Sequence, residues 1–242
     1  MRHDSNMRSG RATLRWALGA AALAAVFSAF SPFGPAASAS PAIILAAEED
    51  FAFVGSPFDQ PQGEVANFSN PAAAGALHNV YATGKGPDGR NLFFSETIAP
   101  GNDVPVRGTQ YLDAGNYPFA CTLHPGMDGV LQVTEMGWRA NRPALGVAVQ
   151  TQRLSSVRRK GAIRITVSSS TGVQGGRVTL RLGQKALGVV RAITIPAGGR
   201  KAITARLSPQ GNRFLEGKRS AAVSATTWVE FGQPSTSRKV LR

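Results

Sequence analysis

From Phe51 onward, apolar and polar residues alternate in short runs, and clusters of Gly, Pro, Asn and Asp separate one run from the next. A period of two is the mark of half-buried strands. The runs predict strands over 51–54, 64–68, 77–83, 92–97, 109–113, 117–121 and 129–134. Between them, Gly86-Pro87-Asp88-Gly89 and Pro100-Gly101-Asn102-Asp103 read as turns. Glycine reaches positive φ, proline fixes φ, and Asn or Asp side chains bond to their own backbone. No segment here sustains a helical period, so the expected fold is all-β, with a β-sandwich as its natural architecture.

The pattern breaks over 136–143, where Gly137, Asn141 and Pro143 predict a linker. It restarts at 145–150, 162–167, 177–182, 186–195, 201–207 and 221–229, with a weaker last strand near 237–241. Gly-Gly turns are expected at 175–176 and 198–199. This rhythm predicts a second small sandwich over 143–242. Upstream of Phe51, residues 40–50 read as a processed or flexible N-terminus.

The first 39 residues have another character. Arg2, Arg8, Arg11 and Arg15 precede an apolar, alanine-rich run from Trp16 to Phe30, and Ala37-Ser38-Ala39 follows as a small-residue cleavage site. That order is a secretory signal peptide. The apolar run falls short of the ~20 residues a spanning helix needs, although retention as an anchor stays open. No cysteine lies at the cleavage site that follows the run, which excludes lipid modification of the new N-terminus. The mature chain is expected in the periplasm, the cell envelope or outside the cell.

Charge divides the remainder sharply. From Ser40 to Trp138 there are three basic residues (Lys85, Arg90, Arg107) against eleven acidic ones; from Arg139 to Arg242 there are twenty against Glu216 and Glu230. The basic half has a surface suited to an anionic partner, and anionic cell-wall polymers or lipid headgroups are the partners expected there. A solvated strand face with no partner accounts for the same alternation of Arg and Lys. Export and only three aromatic residues in that half (Phe214, Trp228, Phe231) argue against nucleic acid.

Chemistry concentrates in 117–127. Cys121, His124 and Met127 place a thiolate, an imidazole and a thioether within seven residues, directly after a predicted strand. Past the leader there is one further histidine, His78, and no other cysteine. Exported proteins normally pair their cysteines, so a lone one signals a special thiol. Alone, Cys121 could be an inert buried thiol, His78 a strand-end histidine and Met127 core filler. Together they form a donor set suited to copper: two imidazoles, one thiolate and a weak axial thioether are the blue-copper arrangement. Tyr117, Phe119 and Cys121 alternate onto one face, which points the sulfur into the predicted interior.

The residues from Gly115 to Val133 resemble the C-terminal ligand strand and loop of the cupredoxins, and Ala76-Leu77-His78-Asn79-Val80 resembles their upstream His-Asn strand end. The short Cys-to-His and His-to-Met spacings are most similar to amicyanin; plastocyanin and pseudoazurin have a longer His-to-Met gap. The likeness covers about two fifths of the chain and implies a cupredoxin-like domain over 48–136. It implies one type 1 copper held by His78, Cys121, His124 and Met127, with His78 and His124 completing a trigonal plane and Met127 as the long axial ligand. It also implies that Asn79 ties the upstream ligand strand to Thr122. The 143–242 rhythm resembles immunoglobulin-like or fibronectin-like modules.

The function this implies is a non-enzymatic, exported one-electron carrier that exchanges electrons with partner proteins through the apolar surface around His124, Leu123 and Pro125. The alternative is a copper-binding or copper-sensing module of the cell envelope, tethered by the basic domain. Multicopper oxidase or nitrite reductase chemistry would need further histidines, and the chain has none to offer.

Overall fold

Alternation in sequence becomes alternation in burial most cleanly in the second half. The computed structural model describes residues 40–46 and 51–242. The signal peptide expected over 1–39 lies outside the described residues.

After residue 143, strands β9 (Gly146–Val149), β10 (Ala162–Ser168) and β13 (Arg200–Arg206) form one sheet in the order β13-β10-β9. Strands β11 (Val173–Leu182), β12 (Lys185–Ile195), β14 (Ala221–Trp228) and β15 (Thr236–Leu241) form another, ordered β12-β11-β14-β15. All pairings within the two sheets are antiparallel. On β10, Ile163, Ile165 and Val167 are fully buried, while Arg164 between them is exposed. With Val178, Leu180, Val223 and Ala225 of the other sheet they belong to one buried core.

Two short helices break the expected β rhythm. In α1 (Leu154–Lys160), Leu154 and Val157 lie three apart and share one buried face, and Gly161 ends the helix at φ 58°. Helix α2 (Pro209–Arg213) starts at Ser208, whose Oγ accepts from Gly211 N at 2.9 Å, with Pro209 in the first turn. The Gly-Gly pair at 175–176 is not a turn. It lies inside β11, where the register with β12 shifts.

The first half is built from shorter pieces. Strands β1 (Ile43–Ala46), β2 (Phe53–Val54), β4 (Asn67–Asn70) and β6 (Asn102–Pro105) form a sheet ordered β2-β1-β4-β6. Strands β3 (Phe58–Gln62), β5 (Tyr81–Ala82), β7 (Gly115–Ala120) and β8 (Asp128–Gly137) form its counterpart, ordered β3-β8-β7-β5. Between them lies a second core containing Phe53, Phe58, Phe68, Phe93 and Phe119, with Phe53 edge-on to Phe119 at 4.8 Å.

Several expectations are corrected here. Part of 40–50 is not a loose terminus: Ala42 and Ile44 are buried, and β1 pairs in parallel with β4. This half therefore begins before residue 48. The segment 109–113 is a turn of 3₁₀ helix, Thr109–Tyr111, because Thr109 Oγ1 donates to Val106 O and accepts from Ala66 N, diverting the chain from a ladder. The segment 92–97 forms only isolated pairings, with Phe94 opposite both Tyr81 and Arg107. The turn expected at 100–103 gives two of its residues, Asn102 and Asp103, to β6.

The described residues belong to one compact unit, and the two cores meet along a polar and aromatic seam. Phe231 is buried between Phe94 and Tyr111, with ring centroids at 5.6 and 5.7 Å. Gly108, at φ 103°, lies so close to Phe231 that a Cβ would stand 2.6 Å from its ring. Asp88 Oδ2 accepts from Phe231 N at 2.8 Å, and Glu230 pairs with Arg90 and Arg107.

Candidate metal centre

The loop that follows β7 closes on itself. Cys121 N donates to Met127 O at 3.0 Å, and Met127 N donates to His124 O at 3.2 Å. Pro125 restricts the backbone after His124, and Gly126 turns it at φ 82°, a conformation that side-chain-bearing residues avoid. Five residues between Cys121 and Met127 thus return the chain to the start of β8. The fold buries Cys121 and Met127 and leaves His124 half-buried at the rim.

His78 arrives from a different part of the sequence. It sits on an isolated antiparallel pairing with Ile98, donating to Ile98 O at 3.1 Å and accepting from Ile98 N at 2.9 Å. The preceding loop is anchored by Asn70, whose Nδ2 donates to Ala76 O and Ile98 O. Asn79 then bridges to the ligand loop. Its Oδ1 accepts from Thr122 N at 2.8 Å, and its Nδ2 donates to Thr122 Oγ1 at 2.8 Å and to Thr97 Oγ1 at 2.9 Å. The expected tie between Asn79 and Thr122 is therefore present. It fixes the separation between segments 43 residues apart.

Three of the four expected ligands converge. Cys121 Sγ lies 3.8 Å from His78 Nδ1 and 3.5 Å from His124 Nδ1, and the candidate donor atoms all fall within 4.8 Å of one another. A thiol has one proton and can satisfy only one imidazole. Two ring nitrogens facing one sulfur instead match ligands about a shared ion. Metal–nitrogen and metal–sulfur bonds of about 2.0 and 2.3 Å, set at a trigonal angle, would separate S and N by about 3.7 Å. The softness of the set selects copper. Met127 is fully buried at the end of the same loop, in the core that also contains Cys121.

The imidazole of His78 is completely buried, and its Nε2 has no protein hydrogen-bond partner. Burial, and then the neighbouring His124, push its pKa below the usual histidine value. The neutral ring is the form a metal binds.

One contact at the site was not anticipated from the sequence. Phe51 stacks on His124 with centroids 4.4 Å apart and planes inclined by 29°, and it also approaches His78 at 6.1 Å. Its φ is +44°, rare for a residue with a bulky side chain. Phe51, Leu77 and Leu123 are each about half exposed, forming an apolar rim next to the half-buried His124. Sequence alternation assigned Phe51 to a strand and gave no hint of the stacking.

No family model matches the chain, and no curated protein matches it. Among solved structures, it is similar to the reduced Cu(I) form of an amicyanin variant at 22% identity over 43% of this chain and 92% of that one, with a TM-score of 0.31. Amicyanin from Paracoccus versutus is 22% identical over 40% of this chain and 83% of its own, with a TM-score of 0.30. A purple cupredoxin from Nitrosopumilus maritimus is 20% identical over 38% and 99%, with a TM-score of 0.29. The copper assignment rests on the donor geometry above.

Proposed function

We propose that this chain is an exported blue-copper protein that carries one electron at a time between partner proteins, without catalysing a reaction of its own. The observation that carries the reading is the convergence of two Nδ1 atoms, from His78 and His124, on the single thiol of Cys121. Bound copper supplies the cycling between Cu(I) and Cu(II). The protein supplies a donor set that need not rearrange. His78 is packed in place on its pairing with Ile98, Cys121 is held by its bond to Met127 O, and Asn79 locks the two segments together. Met127, buried at the end of the same loop, would add its thioether sulfur to the donors that hold the metal. Around His124, the exposed apolar surfaces of Leu77, Leu123 and Phe51 offer a face that a redox partner could cover with little desolvation cost. The charge, length and cleavage pattern of residues 1–39 support export.

Titration of the purified protein with Cu(II) tests the reading. One equivalent should produce an intense band toward the red end of the visible spectrum, and Cys121→Ser should abolish it. Met127→Leu should keep the colour and raise the reduction potential, because a thioether donor that would stabilise Cu(II) is lost. A protein that holds Cu(I) tightly but never becomes coloured with Cu(II) would instead be a copper-binding or copper-sensing module.

A further inference from the structure

The basic half carries a feature that net charge alone does not explain. Arg153, Lys160, Arg164 and Arg206 line an open depression of about 700 Å³ beside α1, at the edge shared by β10 and β13. A second depression of about 520 Å³ shares Gln152 and Arg153 with the first and adds Lys239 and Arg242. The two form one trough with six cations and no acidic or aromatic side chain in its walls. Five of the six cations are exposed, Lys239 is half-buried, and none is ion-paired among the described residues.

The trough floor is fixed. Gln152 Oε1 accepts from Arg164 N at 2.9 Å, and its Nε2 donates to Arg164 O at 3.0 Å and Gln150 O at 3.2 Å. This pins the segment leading into α1 against β10. Leu154 N, directly after the Arg153 that lines both depressions, donates to Arg242 O at 2.7 Å and holds the two segments together. The six charges are thus presented by hydrogen-bonded backbone, where a ligand need not order the chain to meet them.

We propose that this trough binds a linear, non-nucleotide phosphodiester polymer. Cations spread along an open channel match a ligand whose negative charges repeat along a line, and the unpaired charges would also steer its approach. The trough lacks the stacking platforms by which proteins hold single-stranded nucleic acid. Its larger apolar wall residues are the buried Val157, the half-buried Leu207 and the exposed Val240, with none of the aromatic side chains that anchor interfacial lipid binding. The inference is independent of the copper site, which lies in the other half of the chain.

The test measures binding of the copper-loaded full chain to poly(glycerol phosphate) across a salt series. Six phosphate contacts at about 0.7 released counterions each should give a log–log salt slope near −4, taking single strands as the guide. Arg153→Gln/Arg164→Gln/Arg206→Gln should weaken binding about tenfold or more at 0.1 M salt and halve the slope. Lys160→Gln/Lys239→Gln should act in the same direction by a smaller factor. The control Arg191→Gln/Arg200→Gln/Arg213→Gln removes the same charge from positions that do not line the trough and should change affinity less than threefold. Equal losses in control and trough variants would show that binding follows net charge, and would overturn the site. Binding to phosphatidylglycerol vesicles or poly(dT) as tight as to the polymer would overturn the ligand class. The copper band, monitored throughout, reports separately on the metal site.

Discussion

The two halves of this protein solve the same packing problem in opposite ways. The basic half uses long antiparallel strands, such as β11 with ten residues and β12 with eleven, paired along most of their length with register shifts confined to the β11–β12 pair. The acidic half has strands of two to six residues apart from β8, two parallel pairings, and stretches held only by isolated bridges. All the metal chemistry sits in this irregular half. A ladder points alternate side chains to opposite faces and gives little freedom to aim them. A bridge followed by a loop can present His78 from one segment and Cys121 and His124 from another toward one point. Irregular backbone here is the means of aiming ligands, and the aromatic core beneath it, with Phe53 against Phe119, supplies the rigidity that ladders provide elsewhere.

The largest expected effect breaks the comparison at the seam. We propose that the half running from Ala42 to Met136 and the half over 143–242 each fold around their own core, coupled through Phe231. Phe231→Ala removes a buried ring that touches both Phe94 and Tyr111, and should cost about 3 kcal/mol or more of stability. Thermal unfolding followed by circular dichroism should split into two transitions, while the copper band at low temperature stays unchanged. Bleaching of the band in a chain that is still folded would show that the halves share one structural unit.

A smaller effect should be confined to the irregular half. Asn79→Ala removes the bonds to Thr122 and Thr97, the backbone N–H of Thr122 among them. Groups that orient metal ligands typically contribute 10- to 100-fold in affinity, so copper retention against a chelator should fall by about that factor. The melting of the basic half should not move. Retention equal to the unaltered protein would show that Asn79 serves only the local fold.

The smallest effect concerns the rim. Phe51→Ala uncovers His124 without removing a ligand, so the coloured site should form with the same stoichiometry. Copper should be lost a few-fold faster, and Phe51→Tyr should restore the slow rate because stacking on the imidazole is kept. A rate that is identical in all three proteins would reduce the stacking to a contact without consequence.

Much of this was legible in the sequence because it is local. The period of two set the all-β class, and the strands of the basic half follow it to within a few residues, since Ile163, Ile165 and Val167 can be buried together only on one face of a strand. The donor set was legible too, because from residue 40 onward the sequence contains one thiol and two imidazoles. What the tertiary structure decided is nonlocal. Alternation cannot show that Thr109 will bond to Ala66 N and bend away from a strand, or that Ala42 and Ile44 will join the core from a segment resembling a loose end. Nor can it bring Phe51 over His124, Asp88 to the backbone of Phe231, or six separated cations into one trough. Each of these contacts joins residues far apart in sequence whose types are common at many positions, so the sequence supplied the groups, and only the packing of the sheets determined which of them meet.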